Sequence, residues 1–154
     1  MICLVNPNNP TSTMFSKEFL MKLIEIAKAH QLYILCDEVY QGLSDDEVSI
    51  SDLYDLGIAT SSLSKITSYA GLRIGWIKAN HKIIKMINDR RDYHIISTGY
   101  INDYLATIVV ENYDKILKRS RKIIETNRQI LIDWLEKEPL VDCVVPKVGT
   151  IAFL

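Results

Sequence analysis

Glycine is scarce in this chain, six among 154 residues, and none falls in a GxGxxG or GxxxxGK[ST] pattern, so the loops that cradle nucleotide phosphates are missing. Cysteine is scarcer. Cys3, Cys36 and Cys143 are odd in number and widely spaced, with no CxxC or metal-ligand interval. Each lies in an apolar run (ICLV, YILC, DCVV) and reads as a small buried hydrophobe in a reducing compartment. His30, His81 and His94 are equally scattered in polar helical patterns and read as surface residues. Excess charge of one sign is absent too: 18 Lys and Arg against 19 Asp and Glu give a net charge of −1, which argues against a nucleic-acid partner. Apolar stretches such as Ile130-Leu131-Ile132 fall far short of the roughly 20 residues that span a bilayer, and no basic segment followed by an apolar one opens the chain. No membrane association is expected, and the location expected is cytoplasmic. What is left, with 48% hydrophobic residues, is the composition of one ordinary globular domain, in which a two-domain enzyme is not comfortably housed.

The pattern along the chain alternates strands and helices. Met1 to Val5 is apolar and runs into Asn6-Pro7-Asn8-Asn9-Pro10, which can only be turn or loop. Ser16 is an N-cap for a helix whose stripe is Phe19, Leu20, Leu23, Ile24 and Ala27. Leu32 to Cys36 shows no polar alternation, as a parallel strand buried on both faces would look, and ends in Asp37-Glu38-Val39-Tyr40. Ser49 to Leu56 predicts a short helix closed by Gly57 at C′. Ile58 to Leu63 predicts a third strand running into Ser64-Lys65, and Arg73 to Ala79 a fourth after a loop. Helices are expected over Lys82 to Arg91, Ile101 to Glu111 and about Lys115 to Lys137. In the last of these, Ile116, Ile123 and Ile130 repeat every seven residues alongside Leu117, Ile124 and Leu131. The basic run Lys115, Lys118, Arg119, Arg121, Lys122 reads as a solvated face sooner than an anion patch. After Pro139, VDCVV and GTIAFL suggest the opening of a second sheet, and an apolar strand is an odd place for a natural C-terminus.

Polar residues thus gather at successive strand ends, where ligands collect in open α/β sheets. Taken singly they are weak: an asparagine between prolines is usually structural, an acidic pair after a strand is often a helix cap, and Ser-Lys pairs are common. As an ordered set they say more. Asn9 is followed 28 positions on by Asp37, then Tyr40, then Lys65 another 28 after Asp37, then Arg73. An amide, a carboxylate, a phenol, an amine and a guanidinium suit an anionic cofactor with a ring nitrogen. Trp76, beyond them, reads as core.

In this order NPNNPT at 6–11, DEVY at 37–40, SLSK at 62–65 and GLRIGW at 71–76 resemble the signatures of the class I/II aminotransferases, fold-type-I enzymes of pyridoxal 5′-phosphate (PLP). The resemblance covers the whole chain but only the middle of a typical member. It implies an α/β fold, three layers α/β/α with a mostly parallel sheet, in which residues 1–114 are an incomplete cofactor-binding large domain. Residues 115–154 would be a linking helix and the start of a small α+β domain. It implies that Lys65 forms a Schiff base with the cofactor aldehyde and then shuttles the substrate proton. Asp37 would hold the pyridine nitrogen protonated, Tyr40 and Asn9 would bond the phenolic oxygen, and Arg73 would clamp the phosphate with help from Ser62 and Ser64. The implied partners are an amino acid, a 2-oxo acid and a second copy of the chain.

Two departures stand out. Ser12 occupies a position where the family usually has glycine, which accepts the positive φ that serine tolerates poorly. The ring that stacks on the cofactor and the arginine that grips the substrate carboxylate have no counterparts between Met1 and Leu154. Beside an aminotransferase, the residues therefore leave open a PLP-dependent lyase or decarboxylase, a non-catalytic fragment, and a nucleotide-binding domain unrelated to PLP.

Overall fold

A computed structural model describes all of residues 1–154. Strand β1 (Ile2–Val5), helix α1 (Lys17–Ala29), β2 (Ile34–Asp37), the single turn α2 (Ile50–Leu53), β3 (Gly57–Ser62) and β4 (Gly75–Ala79) come first. Three helices follow: α3 (His81–Arg91), α4 (Tyr100–Glu111) and α5 (Tyr113–Leu135). The four strands lie in the order β1-β2-β3-β4. β1, β2 and β3 are parallel, with Val5 beside Asp37 and Asp37 beside Thr60, whereas β4 runs antiparallel to β3 and sets Gly75 beside Ser62. The fold is α/β with a mostly parallel sheet.

Helix α1 forms where the stripe predicts it. The Ser16 hydroxyl accepts from the Phe19 amide at 3.2 Å, filling one of the orphan donors of the first turn. Leu20, Ile24 and Ala27 are buried on the sheet face that carries Ile34, Cys36 and Ala59, together with Ile50 and Tyr54. Gln31, at φ +51 just past the helix end, takes the left-handed conformation that commonly stops a helix. The opposite face of the sheet is thinly covered: Leu35 and Ile58 are half-buried, and Cys3 and Ile77 are exposed.

That thin layer explains one correction. Cys3 is exposed and Cys143 only partly covered, and Cys36 alone of the three cysteines is buried, because Cys3 alternates onto the open face. Burial, and then the nearby Glu38 and Asp37 carboxylates, push the Cys36 thiol up to about 12, so it is an inert packing group. The three histidines are at the surface as expected.

Other expectations also shift. The short helix ends at Leu53, and Tyr54 leaves it in an extended conformation, so Gly57 is no C′ residue but the first residue of β3. Its lack of a side chain answers a close approach: a Cβ there would lie 2.4 Å from the Ile50 carbonyl oxygen. Trp76 is 42% exposed instead of core, because β4 is the edge strand and only its last residue is even half-covered. Neither VDCVV nor GTIAFL forms a strand, and no backbone amide of either run makes a ladder bond. The segment is held from the side instead, by Arg128 Nε donating to the Pro146 carbonyl at 2.8 Å and by Ser12. The basic residues of α5 are solvated as expected, with Arg121 drawn to Asp45 at 3.2 Å.

Candidate active site

The parallel strands β1, β2 and β3 all end at one edge of the sheet, and the antiparallel β4 begins there. Chain direction alone therefore brings together the loop after Val5, the residues after Asp37, the Ser62–Lys65 segment and the approach to Gly75. The asparagine-proline loop contains cis bonds at Asn6-Pro7 and Asn9-Pro10. It closes on itself, with the Asn8 amide donating to the Thr13 carbonyl at 2.9 Å and the Ser12 amide to the Asn8 carbonyl at 2.7 Å. Buried Asn6 accepts from the Phe15 amide at 2.9 Å, which ties the loop's exit to α1. Asn9 is thereby presented toward β2, and its amide donates to the Tyr40 hydroxyl at 3.1 Å.

Tyr40 is buried, at 5% exposure. The Lys65 ammonium lies 5.7 Å from the centroid of its ring, within the reach of a cation–π contact. Asn9, Tyr40 and Lys65 thus form one group. Asp37 occupies the end of β2 on the open face of the sheet. One carboxylate oxygen accepts from the Val39 amide at 3.1 Å and from the Thr60 hydroxyl at 3.4 Å. Thr60 was not singled out in the sequence. The available signal was a hydroxyl at the register position beside the carboxylate, the first of three in a strand that ends Thr60-Ser61-Ser62.

Lys65 itself is exposed, but the segment carrying it is fastened on both sides. Leu63 is buried with Ala106 and Val109, Thr67 Oγ1 donates to the Leu63 carbonyl at 2.6 Å, and Ser120 on α5 donates to the Ile66 carbonyl at 2.7 Å. Ser62 and Ser64 meet locally, the Ser64 amide donating to the Ser62 hydroxyl at 3.2 Å. Arg73 hydrogen-bonds to neither. It sits at φ +53, and its guanidinium donates to the Ala70 carbonyl at 3.0 Å. Three of the four non-glycine residues at positive φ, Ser12, Ser68 and Arg73, belong to the loops of this edge, where strained backbone is commonly functional.

A cleft of about 540 Å³ opens beside Lys65 and Ser64, with Ile124 and Arg128 of α5 and Gly149–Ala152 on its far side. Asn9, Asp37, Tyr40 and Arg73 lie outside it. Glu38, the second acid of the DEVY run, points away from this edge and is structural: it is 5% exposed and accepts from the Ile50 amide at 2.8 Å. Burial raises its carboxyl above the ordinary value, opposed by the hydrogen bonds from Ile50 and Ser49. No group of three His, Cys, Asp or Glu side chains could hold a metal ion, and no helix is long and apolar enough to cross a membrane.

The sequence profile described as aminotransferase class I and II matches residues 1–154. The chain belongs to that family. Among solved structures, a PLP-dependent aminotransferase from Streptococcus suis superposes with a TM-score of 0.91 at 46% identity, over 95% of this chain and 39% of that one. A PLP-bound C-S lyase from Staphylococcus hominis gives 0.82 at 26% identity, over 98% of this chain and 41% of the other. The glutamate-pyruvate aminotransferase AlaA of Escherichia coli is 43% identical over 84 residues, 51% of this chain and 21% of that protein. This aminotransferase-family chain therefore spans about two fifths of the solved relatives it matches.

Proposed function

We propose that the protein is the core of a PLP-dependent aminotransferase that moves an amino group between an amino acid and a 2-oxo acid. The observation that carries this reading is the group Asn9–Tyr40–Lys65 at the sheet edge that Asp37 also reaches. The donor set fits the cofactor. Lys65 offers an amine for its aldehyde, Asp37 a carboxylate for its ring nitrogen, and Tyr40 and Asn9 two donors for its phenolic oxygen. When bound, PLP supplies an electron sink for the charge that develops at the substrate Cα.

The chain's own groups do the rest. Lys65, set against the Tyr40 ring, is the amine that carries the proton to and from the substrate carbon. Thr60 and the Val39 amide fix the Asp37 carboxylate, so that it meets the ring nitrogen without reorganising. Arg73, with the Ser62 and Ser64 hydroxyls, is assigned to the phosphate, a geometry that a planar guanidinium grips with two bonds. Residues 1–114 serve as the cofactor-binding part and 115–154 as the link to a further domain. A second copy of the chain is the expected partner, and exposed Ile96, Tyr100 and Ile101 near α4 leave apolar surface for it. These 154 residues alone are expected to turn over amino acids weakly or not at all.

The test is to incubate the purified chain with PLP, reduce it with borohydride and map the modified lysine. Label on Lys65 supports the reading. Label on another lysine, or unchanged labelling of the Lys65→Ala variant, overturns it.

A further inference from the structure

Ser12 is buried, at 4% exposure, and sits at φ +51, a conformation that glycine accepts more readily than serine. Its side chain explains why serine can stand there. The hydroxyl donates to the Ile151 carbonyl at 2.6 Å, across 139 residues. The partner segment is shaped to receive it: Gly149 has φ +108, and a Cβ on Gly149 would lie 2.5 Å from Ser12 Oγ. That segment is the one that faces Lys65 across the cleft. On the other side of Ser12, its amide closes the loop by donating to the Asn8 carbonyl at 2.7 Å, and Asn9, inside that closed loop, holds the Tyr40 hydroxyl at 3.1 Å.

We propose that Ser12 is a positioning residue whose hydroxyl locks the Asn9 loop to the Gly149–Ala152 segment. Asn9 and Tyr40 on one side of Lys65 and the cleft wall on the other then hold their places together. Release of the hydroxyl frees two things at once. The segment loses its tie on the Lys65 side of Pro146, and the closed loop that aims Asn9 loses its outer anchor. A group that only filled space would produce neither effect when its hydroxyl alone was removed. This inference rests on the proposed role of Lys65 for its importance, but its test does not require PLP.

Native chain, Ser12→Gly and Ser12→Ala are compared in two measurements. Ser12→Gly removes the hydroxyl and relieves the backbone, and Ser12→Ala removes it while keeping a Cβ at the same φ, so one variant controls for the flexibility of the other. The first measurement is the rate of tryptic cleavage after Lys147 under native conditions, which follows local opening. Loss of one buried hydrogen bond should raise it roughly tenfold in both variants. The second is the rate of acetylation of the Lys65 amine at one fixed pH, read by mass spectrometry. Displacement of the Tyr40 ring takes away the group packed against that amine, so acetylation should be faster than in the native chain, as in Asn9→Ala. An unchanged cleavage rate, or faster cleavage with a native acetylation rate, overturns the proposal. Failure of PLP to label Lys65 in the native chain would instead overturn the cofactor reading and leave both measurements interpretable.

Discussion

The amide of Asn9 donates to the hydroxyl of Tyr40 at 3.1 Å, joining the loop after β1 to the residues after β2. The bond sets the tilt of a buried ring that in turn carries the Lys65 ammonium. Asn9→Ala and Tyr40→Phe should each cost about 1 kcal/mol of unfolding free energy. If the two act through this bond, the double variant should be more stable than the sum of single losses implies, by about 0.5–1.5 kcal/mol. Urea denaturation of the four proteins measures that difference, and strict additivity would show that the bond carries no energy.

Burial holds the Glu38 carboxyl above its ordinary value of 4.5, the Ile50 amide offsetting only part of the shift. The folded chain thus binds this proton more tightly than the unfolded chain. Its contribution to stability is complete below the ordinary value and is lost as the pH rises through the folded one. Glu38→Gln keeps an oxygen for the Ile50 amide and carries no charge, so it should be more stable than the native chain at pH 7, with the gap closing toward pH 4. Glu38→Ala leaves that amide unpaired in a buried place and should lose about 1–3 kcal/mol. Denaturation midpoints at the two pH values decide: a glutamine variant that loses ground at pH 7 relative to pH 4 refutes the argument.

Features written locally in the sequence were legible, and those made by distant contacts were not. Ser16 caps α1 through a residue three positions away, and Ile34 and Cys36 mark a buried strand by apolar run alone. Motif order picked out the candidate residues at the strand ends, and the ends lie at one edge because three strands run parallel. By contrast, GTIAFL has the composition of a strand but makes no backbone ladder bond. Trp76 is apolar, yet it lies on an edge that nothing covers. The Ser12–Ile151 bond spans 139 residues. Ser12 was visible only as a residue out of place, and what compensates it belongs to the tertiary structure.

Gly57 is a residue whose replacement should be severe without any chemical role. A Cβ there would lie 2.4 Å from the Ile50 carbonyl oxygen and 2.8 Å from that of Tyr54. Both are backbone atoms, fixed by the turn that leads from α2 into the sheet, so rotamer change offers no relief. Gly57→Ala should destabilise the chain by about 3 kcal/mol, the upper part of the range for overpacking. Thermal denaturation of this variant beside Gly71→Ala, where nothing lies within 4 Å of an added Cβ, separates crowding from the general effect of losing a glycine. Similar losses in both would remove the argument.

Arg73 is tied to the Ala70 carbonyl at 3.0 Å, a neutral acceptor that a phosphate dianion should displace, because charge-assisted bonds are roughly twice as strong as neutral ones. If Arg73 serves the phosphate, its replacement should matter for PLP and hardly at all for pyridoxal, which lacks that group. Arg73→Ala should weaken PLP binding by roughly 10- to 100-fold, as expected for one lost charge-assisted contact. Arg73→Lys should recover only part of this, since an ammonium cannot make the paired contact. Paired titrations of PLP and pyridoxal, followed by absorbance, give the ratio directly. Equal weakening for both ligands would mean that Arg73 acts through the backbone conformation it adopts at φ +53, and the phosphate would then have to be held by other groups at this edge.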